Sequence, residues 1–256
     1  MMKDKKNTSK VLIIILILVI ITLLGYIIYD KGIRKEEIKE EIKQEETTIR
    51  KINKQEEKIL LNQITAYTTY LADSYPITEN KPLENQEALY FAYQNLENKD
   101  IQFSENDLEK VLEKYFGKNH PYIHENINCF VGDGPLYEYD STQKIYIYQD
   151  IHGHGGKPCY QPSVYLVDGK VTSNKKYKIK THILYANGTG DTLAPSERYY
   201  TSIHKDYDDY ILGPYDQEHQ VTEEEYQSIK DQIPITTFTF EKDEDNNYGL
   251  KSVTIA

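Results

Sequence analysis

The 256-residue chain contains no tryptophan, and six phenylalanines stand against 24 tyrosines. Without Trp, the large flat ring that stacks well on sugars is missing, which weighs against a glycan-binding module. No cysteine follows the apolar run near the N-terminus, which excludes a lipoprotein. The GYIIYDKG that ends that run offers no pair of alternating small residues for signal-peptide cleavage. No serine lies in a G-x-S-x-G context: Ser163 and Ser196 sit beside prolines, with no histidine close in sequence. Basic side chains are scarce as well. Residues 1–35 hold seven Lys/Arg and two acids, so residues 36–256 carry 23 basic and 39 acidic groups, a net of −16. Phosphate neutralisation drives nucleic-acid binding, so that function is excluded, and the same field repels anionic polymers and headgroups.

One long uncharged stretch is present. Val11 to Tyr29 spans 19 residues, just enough at 1.5 Å per residue to cross a hydrocarbon core as a helix. We expect an uncleaved signal anchor at 11–29 that joins the chain to the membrane. The short basic tail 1–10 would lie in the cytoplasm and the remainder outside. Residues 32–66 contain no proline and are rich in Glu, Lys and Ile. With Ile42 and Ile49 at position a, Ile38, Ile52 and Ile59 fall at d, while Glu45, Glu56 and Gln63 interrupt the seam. A helical stalk over 30–66 is expected, either solvated through i,i+4 Glu–Lys pairs or paired as a coiled-coil homodimer.

From residue 67 to 256 the pattern is that of one soluble α+β domain. Helical periods run through Leu60, Ile64, Tyr67 and Leu71, then near Leu83–Asn98, then from a Ser104 cap through Leu108, Val111, Leu112 and Tyr115 to Gly117. From Leu136 the period becomes two, with strands expected at Tyr137–Tyr139, Lys144–Gln149, Ser163–Val167, Lys170–Thr172, Lys176–Ala186, Arg198–His204, Thr236–Glu241 and Leu250–Ile255. Asp168-Gly169 reads as a type I′ hairpin turn, and Thr222 with Glu225 as the cap of a short helix. Helices followed by antiparallel strands predict helices packed on one face of a curved antiparallel sheet. No helix alternates with the strands, so a dinucleotide fold is excluded.

The tail TFTFEKDEDNNYGLKSVTIA, the helix end EKYFGKNH and the spacing to Cys129 and Cys159 resemble membrane-anchored envelope proteins of low-GC Gram-positive bacteria. The resemblance covers roughly residues 104–256 and implies a cone-shaped domain of the NTF2-like or cystatin-like kind; it brings no activity, ligand or catalytic residue.

Three constellations can carry chemistry. Cys129 and Cys159 are the two cysteines, and outside a membrane such a pair reads as a disulfide, inside as free thiols. His152 and His154 alternate within a glycine-rich segment, with His120 and His124 upstream; a metal-assisted cell-wall hydrolase and a plain exposed loop both fit. Asp243 to Asn247 begins like a calcium loop, but Tyr248 and Thr254 occupy the positions that need Gly and Glu, so it reads as a turn. Gly132-Asp133-Gly134 is likewise a turn, and no cofactor is implied. The leading expectation is therefore a domain that binds an envelope protein or peptide through a tyrosine-rich sheet face bearing Tyr146, Tyr148, Tyr177 and Tyr185.

Overall fold

A computed structural model describes residues 49–128, 134–149, 160–173, 175–186, 197–203, 205, 208–215 and 219–256. They belong to one folded unit, Ile49–Ala256. The first strand is short: β1 (Arg50–Lys51) leads directly into α1 (Lys54–Tyr70). Asn53 caps α1 by accepting from the amides of Gln55 and Glu56, and Glu56 returns the favour by accepting from the Asn53 amide at 2.9 Å. Leu60, Ile64 and Tyr67 recur at helical spacing and are fully buried. Then come α2 (Asn85–Gln94), β2 (Gln102–Ser104) and α3 (Glu105–Phe116), with Ser104 capping α3 through the Asp107 amide.

Strands follow: β3 (Ile127–Asn128), β4 (Pro135–Asp140), β5 (Ile145–Tyr148), β6 (Gln161–Ser173), β7 (Lys176–Ala186), β8 (Glu197–Tyr200) and β9 (Leu212–Tyr215). A last short helix, α4 (Glu223–Ile229), precedes β10 (Thr236–Lys242) and β11 (Tyr248–Ile255). They form two antiparallel sheets. The larger runs β1-β6-β7-β10-β11, with β8 on β7 and β9 on β8; the smaller runs β2-β5-β4-β3.

This corrects the expected architecture in three respects. First, there is a second sheet, and the large sheet is covered on one face and over part of the other rather than on one face alone. Tyr177, Ile179, Ile183 and Tyr185 of β7 point into the main core with α1, α2 and α3. Leu184 and Ala186 point the other way, into a small core closed by Tyr226, Ile229 and Ile233. A strand buried on both sides is apolar at consecutive positions, which is what Ile183 to Ala186 show.

Second, the helical stalk does not extend through residue 66. Arg50 and Lys51 pair with Val171 and Lys170 as strand, and α1 is part of the domain core. The expected a/d seam is broken there, with Ile52 packed on the core and Ile49 exposed. Third, among the described residues no helix is long and apolar enough to cross a membrane. The stretch Val11–Tyr29 and the stalk up to residue 48 lie outside the described residues.

Asp168 and Gly169 do not turn. They lie within the 13-residue β6, beside a register shift between Leu166 and Asp168. The Ile52 side chain lies over Gly169, where an added Cβ would meet its tip. The hairpin reversal comes instead between Ser173 and Lys176.

Candidate functional site

The tyrosines expected on an exposed face are placed elsewhere. Tyr146 is fully buried and stacks on Phe103, with centroids 4.9 Å apart. Tyr177 and Tyr185 are buried in the main core, Tyr177 meeting Tyr248 edge-on at 5.0 Å. Tyr148 is half-buried and packs edge-on against Tyr137. The reason is geometric. These rings stand on the sheet faces that α1, α2 and α3 cover, and their hydroxyls are satisfied inside, Tyr177 by the Glu56 carboxylate at 3.1 Å and Tyr146 by His124 at 2.8 Å. Burial drives both hydroxyls well above the ordinary tyrosine range. Tyrosine abundance signals core aromatics here, with Tyr67 stacked on Phe91 and flanked by Phe116 and Phe240.

Cys129, Cys159, His152 and His154 lie outside the described residues. The other two histidines of the expected metal cluster do come together, on a residue that sequence reading missed. Glu109 of α3 places one carboxylate oxygen 3.0 Å from His124 Nε2 and the other 3.3 Å from His120 Nε2. The His124 contact is a hydrogen bond, and its Nδ1 faces the Tyr146 hydroxyl. The His120 contact is not aligned as one. Both of its ring nitrogens are buried without a hydrogen-bond partner among the described residues. Among the described residues no group of three or more His, Cys, Asp or Glu is arranged to hold a metal ion. The Glu109–His124–Tyr146 relay runs inward to a buried phenol and ties the loop after α3 to β5.

That loop walls a cleft of about 380 Å³. Its geometry begins at the end of α3, where Gly117 takes φ 86° and its amide closes the last turn on Glu113 at 2.9 Å. The helix end lies directly on β11: a Cβ on Gly249 would stand 2.7 Å from the Phe116 carbonyl oxygen. Beyond Gly117 the chain rises through Asn119 and His120 to Tyr122, whose ring meets Phe116 at 5.0 Å and stacks on His120 at 5.7 Å. Burial pushes the Tyr122 hydroxyl up to about 12.

The facing wall comes from Ile77, which exchanges two backbone hydrogen bonds with Val253 of β11 (3.1 and 2.8 Å). Between these walls the floor is apolar, made by Ile77, Leu83, Phe116 and Leu250, and the rim carries Lys176, Glu241 and Lys251. β11 is the last strand of the large sheet on this side; among the described residues no further strand pairs with it, Ile77 bridges it at Val253 and the end of α3 seats on it at Gly249. An edge strand beside an apolar trough offers backbone donors and acceptors together with side-chain pockets.

A second histidine group, at the other end of the sheet, is structural. His219 stacks on Tyr215 at 3.7 Å and its Nε2 reaches the Glu225 carboxylate at 2.9 Å. Glu225 is the capping-box residue of α4, and the Thr222 amide, donating at 2.8 Å, leads the contacts that hold it down at about 2. Its lone pairs are committed to the helix cap, Tyr215 and His219.

Comparison of the chain with family models, with curated proteins and with solved structures returns no match.

Proposed function

We propose that residues 49–256 form a recognition domain that binds an extended segment of another protein at the cell envelope, and that the cleft along β11 receives it. The observation that carries this reading is the edge strand β11, bridged at Val253 by Ile77 among the described residues, beside an apolar trough between Phe116 and Ile77. A cavity of about 380 Å³ holds two or three side chains of a peptide while the backbone pairs with β11. The envelope setting rests on the uncharged run Val11–Tyr29 of the sequence.

Panning a displayed peptide library against the full-length chain tests the reading. Enriched peptides carry apolar residues at alternate positions, and Asn119→Trp, which fills the trough from its exposed rim, weakens them by about tenfold or more in calorimetric titration. Thermal unfolding checks that the variant remains folded. A library that yields no binder, or binders indifferent to Asn119→Trp, overturns the proposal.

A further inference from the structure

The second face of the large sheet is only half covered. Tyr226, Ile229 and Ile233 close over Leu184 and Ala186, and the strands continue beyond them into the open. There Lys176, Lys178 and Lys180 alternate along β7 and are exposed. Register aligns further lysines beside them: Lys51 stands opposite Lys170, and Lys170 opposite Lys178, so three strands bring three ammonium groups abreast on one face. The same rows continue into hydroxyls, Lys178 facing Thr239 and Lys180 facing Thr237, then Ser252 and Thr254 on β11.

Like charges placed directly opposite across strands are destabilising, so this arrangement needs a reason. Lysines do guard open sheet edges, but β7 is paired on both sides, to β6 and β10, and needs no guard. The charge is only partly neutralised from within: Asp168 stands opposite Lys180 and Glu241 opposite Lys176, while Lys51 and Lys178 face no acid in the register. Among the described residues, Lys170 alone of the five has a carboxylate at ion-pair distance, Asp168 at 2.8 Å, and that pairing leads the contacts that depress the Asp168 carboxyl. The patch therefore stays positive in a chain whose residues 36–256 are strongly acidic.

We infer that this open lysine face docks an acidic segment of the partner protein. The inference rests on the reading of the domain as a recognition module and names the partner's chemistry. Lys176, with Glu241, also rims the cleft, so the two surfaces are continuous. The dimensions fit a single strand: successive lysines on β7 are about 6.8 Å apart and three strands span about 10 Å. An extended segment with acids at every second residue matches that spacing, and its hydroxyl neighbours meet Thr237 and Thr239. Membranes and nucleic acids are larger anions, and the net negative charge around the patch repels them.

The test uses the full-length chain and a fluorescein-labelled peptide alternating Glu and Thr, followed by fluorescence anisotropy. Phosphatidylserine vesicles and a DNA duplex are titrated in parallel. Expected is saturable peptide binding that weakens with salt and drops by about tenfold or more in the triple variant Lys51→Gln, Lys178→Gln, Lys180→Gln. None of these three lines the cleft. The thermal midpoint of the variant should stay close to that of the parent, because the repulsion relieved at Lys51 and Lys178 offsets the attraction Lys180 loses to Asp168; a clearly lower midpoint would give the lysines a structural role and overturn the inference. Tighter binding to vesicles or duplex, or acidic-peptide binding that ignores the triple variant, also overturns it. If library-selected peptides bind the cleft while the acidic peptide does not, only this inference falls; if neither binds, the recognition reading falls with it.

Discussion

Glu56 draws four strong contacts into one carboxylate, and Glu56→Gln puts a number on them. Its carboxylate takes both guanidinium nitrogens of Arg50 (2.6 and 2.8 Å), the Asn53 amide and the Tyr177 hydroxyl. Led by the Arg50 hydrogen bonds, these contacts lower its pKa from 4.5 to about 2. A depression of that size corresponds to about 3 kcal/mol of stability at neutral pH. The Arg50 side chain is half exposed, so solvent screening reduces this to about 2 kcal/mol. For a domain of this length the loss lowers the thermal midpoint by about 4–8 °C at pH 7, read by circular dichroism. The sign with pH is fixed. A depressed carboxyl stabilises fully above its unfolded value of 4.5, and that stabilisation disappears as pH falls towards 2. The gap between wild type and Glu56→Gln should therefore close over the same interval. A gap below about 1 °C at pH 7, or one that widens on acidification, refutes the argument that this carboxylate ties β1 to α1 and β7.

Two further substitutions test the placement of residues described above. Tyr177→Ser should cost about 3–5 kcal/mol in urea unfolding, because a buried ring and the hydroxyl bound to Glu56 are both lost; a cost near zero would return this tyrosine to the surface. Gly249→Ala should cost about 1–3 kcal/mol, since the added methyl meets backbone atoms of Phe116 and Gly117 rather than a side chain that can swing aside. Unchanged stability in that variant would show that α3 does not seat on β11 as described.

Local signals proved readable where local chemistry decides. The Ser104 and Thr222 caps, Gly117 after α3 and the period-two run of β7 each specify an element through neighbours within a few residues. Elements set by distant partners were not readable. Arg50 and Lys51 form a strand because β6 offers its edge, and no propensity in a Lys- and Glu-rich segment announces that. Asp168-Gly169 has turn chemistry, but both residues pair with Lys180 and Ile179 of β7, and Ile52 lies over the glycine. The tyrosines misled for a related reason. A ring with a wet or a buried hydroxyl has the same sequence signature, and the partners that bury Tyr146 and Tyr177, His124 and Glu56, lie 22 and 121 residues away. The lysine rows are visible only once the register is known, because Lys51, Lys170 and Lys178 come from three strands.

The small core on the second face has a kinetic meaning. After β7 the chain makes β8, β9 and α4 and then returns as β10 beside the strand it left. β7 and β10 pair with each other directly, so the detour between them can open without unzipping the main sheet. Six buried side chains hold it shut. Such a unit unfolds locally at a lower free energy than the aromatic core beneath it. Amide protons in β8 and β9 therefore exchange through partial opening, while those shared by β10 and β11 wait for the whole domain. Loop-closure entropy grows only slowly with length, so the detour is also where the chain can lengthen or shorten at least cost to the rest of the fold.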